Sequence, residues 1–520
     1  MPALSTQLLV IGGGATGLGI ALDATLRGLK VVLVEQGDLG QGTSGRYHGL
    51  LHSGARYVIS DPTSAADCAS ENLILRRIVP HTIEDTGGLF VSLPTDPLDY
   101  PDAWLDACRK QGVPAEEISP AAALEREPLL NSRLGRAFLV QDAALDSFDL
   151  SHTLVDAIRR AGGTVWLRQR VETLHVESGR VVRADVRSFR TGEVVTVGAE
   201  VFVNAAGPFA GEVAASAGIA LPLALGKGTM VAMAERLVHA VVNRCKPPAD
   251  GDILVPIGTV CILGTTDTPV ASGKELSIEP WEIDLLLAEG EALIPTLPDH
   301  RALRAWAGIR ALYQPPQSDG QPTRTLPRAH AIIDHSANDG LAGLITVIGG
   351  KLTTFRLMAE ETLDLVCRSL GVEAPCQTSE TSLPDPAHGQ LSPTKRLAGF
   401  DRDGSGPKPV ETICECELVT RSDLAAAIER DGIDELDDLR RDLRLGMGPC
   451  QAAFCAYRAA GIVHDLRAPH MADAGLVDFL NERWRGMRPL AWGHTLRQME
   501  LIRRIYLDLL CTSTAPEGQG

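Results

Sequence analysis

No stretch of this chain approaches the ~20 unbroken apolar residues that a membrane-spanning helix requires, and no basic-then-apolar leader precedes its first strand. Basic residues are also in short supply: 49 Lys and Arg stand against 66 Asp and Glu, a formal net charge of −17. A chain this acidic is not built to hold nucleic acid, and an anionic substrate would need a local basic pocket inside an acidic envelope. Paired spacing is missing from seven of the 11 cysteines, at 68, 108, 245, 261, 367, 376 and 511, which read as ordinary core or surface thiols. There is no internal repeat and no low-complexity tract. These absences leave a soluble globular protein of a reducing, cytoplasmic compartment, long enough at 520 residues for roughly three to four domain-sized units.

The remaining four cysteines are paired. Cys414 and Cys416 form C-x-C in ETICECELVTRSDL, and Cys450 and Cys455 form C-x-x-x-x-C in RLGMGPCQAAFC. Zinc sites more often use C-x-x-C pairs. A two-residue step brings two thiolates together, and the glycines of Gly446-Met447-Gly448-Pro449 allow a tight loop to present backbone amides to sulfur. Such amides stabilise an iron–sulfur cluster and tune its potential. A structural zinc knuckle and four unrelated buried thiols are the competing readings.

At the other end, Gln7 to Val10 reads as a strand entering IGGGATG, with a helix pattern at Leu18, Ala21, Leu22, Thr25 and Leu26. Gly28 ends that helix and Val31–Glu35 reads as a second strand, completing a βαβ unit. Gly12, Gly14 and Gly17 make G-x-G-x-x-G at the strand-to-helix junction, where a pyrophosphate meets a helix N-terminus. Glu35 closes the second strand at the spacing of a carboxylate that accepts ribose hydroxyls. FAD is preferred over NAD because small polar residues follow, including Thr43 and Ser44, which suit phosphates and a ribityl chain. Farther on, Val203–Gly207 ends a strand in small residues where chain returns to the cofactor. Gly349-Gly350-Lys351, before a helix entered through Leu352 and Thr353, sets helix dipole and cation beside the flavin's pyrimidine end, favouring its anionic reduced form.

Further strands are expected at 164–167, 179–186 and 194–203, with helices near 151–161 and 210–217. A separate sheet is expected over 230–266, a Pro/Gly/Ser/Thr-rich linker from Cys376 to Pro409, and a last helix near 493–510. Its apolar residues Leu496, Met499, Ile502, Tyr506 and Leu509 form one stripe, which packs on its own chain or docks a partner.

His52, Arg56 and Tyr57 follow the FAD region, and Arg310 follows a compact apolar strand. Two arginines grip a phosphate bidentately as lysine cannot. Histidine titrates near neutrality, so His52 or His239 can serve as a base.

Taken together, GRYHGLLHSGARYV at 45–58, ILGTTDT at 262–268, WAGIRAL at 306–312 and GGKLTTFRLMAE at 349–360 resemble the D-amino-acid-oxidase-like flavoproteins, and specifically the FAD-dependent glycerol-3-phosphate dehydrogenases. The four-cysteine segment, with FLNERW and AWGHTLR, narrows the resemblance to the catalytic A subunits of the anaerobic branch. It covers nearly the whole chain and is weakest in the linker. The implied fold is α/β: a Rossmann-like FAD domain with an interleaved α+β substrate domain over 1–375, a linker over 376–410, a BFD-like [2Fe-2S] domain over 411–470 and a helical extension over 471–520. The resemblance implies that His52, Arg56, Tyr57 and Arg310 line the substrate pocket and that Lys351 lies near the flavin. It also implies two partner subunits: a second flavoprotein, and a membrane-docking iron–sulfur protein that passes electrons to quinone.

Three functions compete. The first is oxidation of glycerol 3-phosphate to dihydroxyacetone phosphate at FAD, with electrons leaving through the cluster. The second is an amine or amino-acid dehydrogenase of opine or proline type. The third is a non-enzymatic electron-transfer or redox-sensing flavoprotein.

Overall fold

The computed structural model describes residues 4–315, 323–384, 396–397, 411–430, 433, 435–467 and 469–510. The opening βαβ unit forms as its pattern requires. β1 (Leu4–Ile11) and β2 (Val31–Val34) pair in parallel, and α1 (Ala15–Leu26) crosses between them. Glu35 stands one residue beyond β2, at the strand's C-terminal edge. Parallel neighbours come from far along the chain: Val194–Asn204 and Leu344–Gly349 on one side, Thr164–Trp166 on the other. The hairpin Gln169–Glu177/Arg180–Ser188 and the strand His330–Asp334 complete an eight-stranded sheet. Its buried faces carry continuous Val, Leu and Ile runs, as a sheet covered on both sides demands.

The second sheet has nine strands and is mostly antiparallel. It extends beyond the expected 230–266 span. Leu223–Met233 and Ala302–Tyr313 form its longest pair, and Gly88–Val91, Ala115–Ile118 and Ala137–Val140 join from the N-terminal third. Those three runs are four residues long, too short for periodicity to separate strand from buried helix. The substrate sheet is thus interleaved with the FAD domain, as expected.

The C-terminal third departs from the expected division. One hydrophobic core runs from Ile413 to Tyr506, so the four-cysteine segment and the helices beyond it are a single unit, and the helix Pro469–Met487 crosses the expected boundary at 470. The last helix, Gly493–Arg504, splits its stripe. Ile502 and Tyr506 are fully buried and Met499 packs beside them, whereas Leu496 and Leu509 face solvent. The Tyr506 hydroxyl donates to the Ala452 carbonyl at 2.9 Å, which fastens this end of the chain to the cysteine loop. Most of the expected linker, 385–395 and 398–410, lies outside the described residues. Its first part packs back on the FAD domain, where the Leu383 N–H donates to the Ile78 carbonyl. Five of the unpaired cysteines are buried and Cys376 is half-buried, while Cys511 lies outside the described residues. No described helix is long and apolar enough to cross a membrane.

Candidate functional site

A cavity of about 1150 Å³ runs from the C-terminal edge of the parallel sheet to the substrate sheet. At one end stand the glycines. Gly12 has φ +108°, and a Cβ there would lie 2.6 Å from the Ala205 carbonyl oxygen. A Cβ on Gly17 would lie 1.9 Å from the Gly12 carbonyl oxygen, so α1 can approach β1 only because that residue is glycine. Gly14 caps α1, and the Ser44 hydroxyl accepts from the Ala15 N–H at 2.9 Å, placing a polar side chain at the helix N-terminus. Glu35 accepts from the Gly13 and Gly37 N–H groups at 2.6 and 2.8 Å. Thr43 donates to the Ile309 carbonyl at 2.6 Å, tying this loop to the substrate sheet. Gly207, Gly350 and Leu352 line the cavity farther along. Gly350 has φ +78°, and a Cβ there would sit 2.3 Å from the Met358 sulfur. Thr353 is buried behind the wall, where its hydroxyl accepts from the His52 N–H at 3.1 Å. An elongated cradle that glycines keep open at both ends fits FAD.

At the substrate end, His52, Arg56, Tyr57, Arg310 and Lys351 come together from separate segments of the chain. Arg56 donates to Asp252 at 2.7 Å. Arg310 donates to Asp267 at 2.8 Å, to the Thr266 carbonyl at 3.0 Å and to the Thr265 hydroxyl. Burial, reinforced by the neighbouring Arg328 charge, pulls the Arg310 guanidinium down to about 10, still protonated at neutral pH. Lys351 lies 4.2 Å over the Tyr57 ring, and burial lowers its pKa as well. The Tyr57 hydroxyl stands 3.4 Å from His52 Nε2, and burial raises the phenol to about 12.

Three further residues line this end of the cavity. Arg324 pairs with Asp250, and Arg328 reaches Asp267 at 3.6 Å. Arg328 also keeps Nη1 buried without a hydrogen-bond partner among the described residues. Both follow a Pro- and Gln-rich stretch that carries no periodic signal. His48 is the third. Its Nδ1 accepts from the Leu50 N–H at 3.1 Å, so in the neutral ring the proton sits on Nε2 and that nitrogen is a donor. Burial, then Arg56 and Arg310, push the His48 pKa down to about 3. Burial likewise depresses His52, followed by His48, Lys351 and Arg56. Both imidazoles are therefore neutral at pH 7.

His239 does not reach the cavity. It lies on an exposed turn between Leu223–Met233 and Val241–Arg244, where its N–H and that of Ala240 donate to Glu127. The strand pattern places it in the substrate sheet but does not say at which end of a strand it emerges.

The four paired cysteines converge. Cys414 contacts Cys455, Cys416 contacts Cys450, and Cys450 contacts Cys455. Backbone N–H groups of Gly446 and Glu417 face Cys414, and those of Ala452 and Ala453 face Cys450. Gln451 and Ala452 adopt left-handed backbone, φ +50° and +72°, which turns successive amides inward. A Cβ on Gly448 would lie 2.2 Å from that of Cys416, so the loop closes only with glycine there. Among the described residues no three His, Cys, Asp or Glu side chains are placed around a single metal ion. Two linked thiol pairs fit a binuclear centre, with two cysteines to each iron.

Comparison with known proteins agrees with this geometry. Residues 7–360 match the family model for FAD dependent oxidoreductases, and residues 412–465 match that for the BFD-like [2Fe-2S] binding domain. The chain is 39% identical to the A subunit of anaerobic glycerol-3-phosphate dehydrogenase from Haemophilus influenzae, over 98% of this chain and 94% of that one. It is 40% identical to the Escherichia coli protein of the same name, over 97% of each. Among solved structures, glycerol-3-phosphate dehydrogenase from Bacillus halodurans complexed with FAD superposes with a TM-score of 0.61 at 23% identity, covering 100% of this chain and 97% of that one. Glycine oxidase from Geobacillus kaustophilus gives 0.58 at 21%, over 74% of this chain and all of that one. The chain therefore belongs to the FAD-dependent oxidoreductases, and within them to the A subunits of the anaerobic glycerol-3-phosphate dehydrogenases, with their BFD-like [2Fe-2S] domain.

Proposed function

We propose that this chain oxidises sn-glycerol 3-phosphate to dihydroxyacetone phosphate. The observation that carries the reading is the cluster of five cations at one end of the cavity, Arg56, Arg310, Arg324, Arg328 and Lys351, inside a strongly acidic protein. Arg328 Nη1 is buried there with no hydrogen-bond partner among the described residues. A phosphate dianion satisfies that donor and offsets the Arg328 charge that adds to burial in lowering Arg310. An amino-acid substrate would bring a single carboxylate, which matches this much positive charge less well.

His52 acts as the base and takes the C2 hydroxyl proton on Nε2, where the Tyr57 hydroxyl now stands. Burial, with the surrounding cations, makes His52 a weak base. Binding the phosphate offsets those charges and strengthens it. His48 cannot share this role in its observed tautomer and instead offers Nε2–H to the substrate oxygen. Gly12, Gly14, Ser44, Glu35, Thr43, Gly207, Gly350 and Lys351 would hold FAD, which would supply the hydride acceptor. Cys414, Cys416, Cys450 and Cys455 would hold the [2Fe-2S] centre, which would supply one-electron transfer. The chain works with two partner subunits: a flavoprotein, and an iron–sulfur protein that docks at the inner face of the plasma membrane. Quinone is the eventual acceptor.

An anaerobic absorption spectrum before and after substrate tests the reading. Glycerol 3-phosphate bleaches the flavin, while glycerol at the same concentration does not. Equal bleaching by both removes phosphate recognition. Bleaching by proline or sarcosine alone moves the enzyme to the amine dehydrogenases.

A further inference from the structure

The helix Leu436–Leu443 belongs to the cysteine domain, yet it packs on the FAD domain beside the loop that follows Glu35. Its Arg441 donates through Nε to Asp38 at 2.6 Å, with both side chains almost completely buried. Arg441 also donates through Nη2 to Asp438 Oδ1 at 2.6 Å. The second oxygen of Asp438 accepts from Arg168 Nη2, again at 2.6 Å. The Arg168 N–H in turn donates to the Gly37 carbonyl at 2.9 Å, and the Gly37 N–H donates to Glu35 Oε1 at 2.8 Å. These contacts close a ring through Asp38, Arg441, Asp438, Arg168 and Gly37, and both Glu35 and Asp38 face the cavity.

A buried ring of this kind adds little net stability, but it fixes one arrangement, because opening any link strands a charge away from water. Arg168 has φ +56°, a left-handed backbone that directs its N–H at Gly37 while its side chain reaches the other domain. The loop at the end of β2 therefore takes its shape from residues some 400 positions away in sequence, as the Asp38–Arg441 pair shows directly.

We infer that the helix Leu436–Leu443 is a structural part of the FAD site, with Arg441 a positioning residue for the adenosine end of the cofactor. FAD affinity and docking of the cysteine domain then depend on each other in equal measure, since linkage between two binding equilibria is reciprocal. This coupling does not depend on which substrate the cavity takes. A second contact keeps it testable: Arg444 donates to Asp146 at 2.6 Å and to Glu417 at 2.9 Å, and it holds the domain in place independently of Arg441.

The test is Arg441→Met in the full chain, with FAD affinity read by fluorescence on the deflavinated protein and the iron–sulfur absorption read alongside. FAD binding weakens at least tenfold while the iron–sulfur spectrum is retained. A change of less than twofold with that spectrum intact overturns the inference. Arg441→Lys keeps the charge and loses the fork; it gives a smaller weakening and serves if the methionine variant does not fold. Hydrogen exchange on the unaltered chain gives an independent answer. Adding FAD to the deflavinated protein slows exchange of the amides of residues 436–443, and no change in those amides overturns the inference whatever the variants do.

Discussion

The cavity and the cysteine loop handle charge in opposite ways. At the substrate end of the cavity, long Arg and Lys side chains converge from distant segments, and Arg328 Nη1 is buried there with no hydrogen-bond partner among the described residues. At the cysteine loop, the groups facing the sulfurs are mostly backbone amides from two short segments, with Arg458 at the rim paired to Glu415. Side chains can swing and re-pair, so they suit a ligand that comes and goes. Amides held by left-handed backbone cannot move without refolding the loop, so they suit a resident group. The contrast shows which site exchanges its contents and which one keeps them.

The largest expected effect removes one side of that contrast. Cys450→Ser abolishes the iron–sulfur absorption and electron paramagnetic signals, while glycerol 3-phosphate still bleaches the flavin. Metal analysis accompanies the spectra, and zinc without iron in the parent protein would sink the electron-exit role. Next comes Arg310→Lys. It keeps the charge but loses the contacts to Asp267 and the Thr266 carbonyl, lowering kcat/KM by an amount equivalent to about 1.5–3 kcal/mol. Steady-state kinetics indistinguishable from the parent would remove Arg310 from substrate binding.

Acidity sharpens the comparison further. His48 and His52 are held neutral by burial and nearby cations, so their folded pKa values lie below the unfolded value of about 6.5. Below that pH the unfolded chain binds protons that the folded one refuses. Their contribution to stability is thus fully present above pH 6.5 and declines as pH falls below it, for His48 down toward about 3, by at most about 1.4 kcal/mol per pH unit for each histidine. Denaturant titrations at pH 7.5 and 5.5 measure it, and the His48→Asn variant has the shallower dependence. The smallest effect belongs to Tyr506→Phe, which deletes one buried hydrogen bond to Ala452 and costs about 1 kcal/mol of cysteine-domain stability. A chain that melts identically would mean this hydroxyl is not needed to fasten the loop.

Much of the fold was legible because local pattern and tertiary role coincide. The glycines at 12, 14 and 17 mark the strand-to-helix turn of a parallel sheet, and the two cysteine motifs mark the thiols that converge, although Cys414 meets Cys455 and Cys416 meets Cys450 across the motifs. Legibility failed where position depends on distant partners. His239 has the chemistry of a base, but the end of a strand at which it emerges depends on register, and it emerges beside Glu127. Arg324 and Arg328 sit in chain without periodicity, where nothing local marks them as facing a cavity. The C-terminal helix announced its apolar stripe, yet only the packing of Ile502 and Tyr506 under Ala452 separates the covered residues from the exposed ones.

The parallel sheet has a consequence for synthesis. β1 leaves the ribosome well before the strand Leu344–Gly349 and the helix beginning at Phe355. Gly19 of α1 packs directly on the Phe355 ring, whose Cδ2 would lie 2.9 Å from a Cβ at that glycine. At about 5–20 residues per second, the part of α1 that Phe355 covers waits roughly 20 to 70 s for its partner. The glycine motif is thus encoded well before the elements that complete its surroundings. A nascent chain halted before residue 344 should recruit chaperones rather than FAD, and ribosome-bound chains of increasing length would show cofactor capture switching on only after the Phe355 helix has emerged.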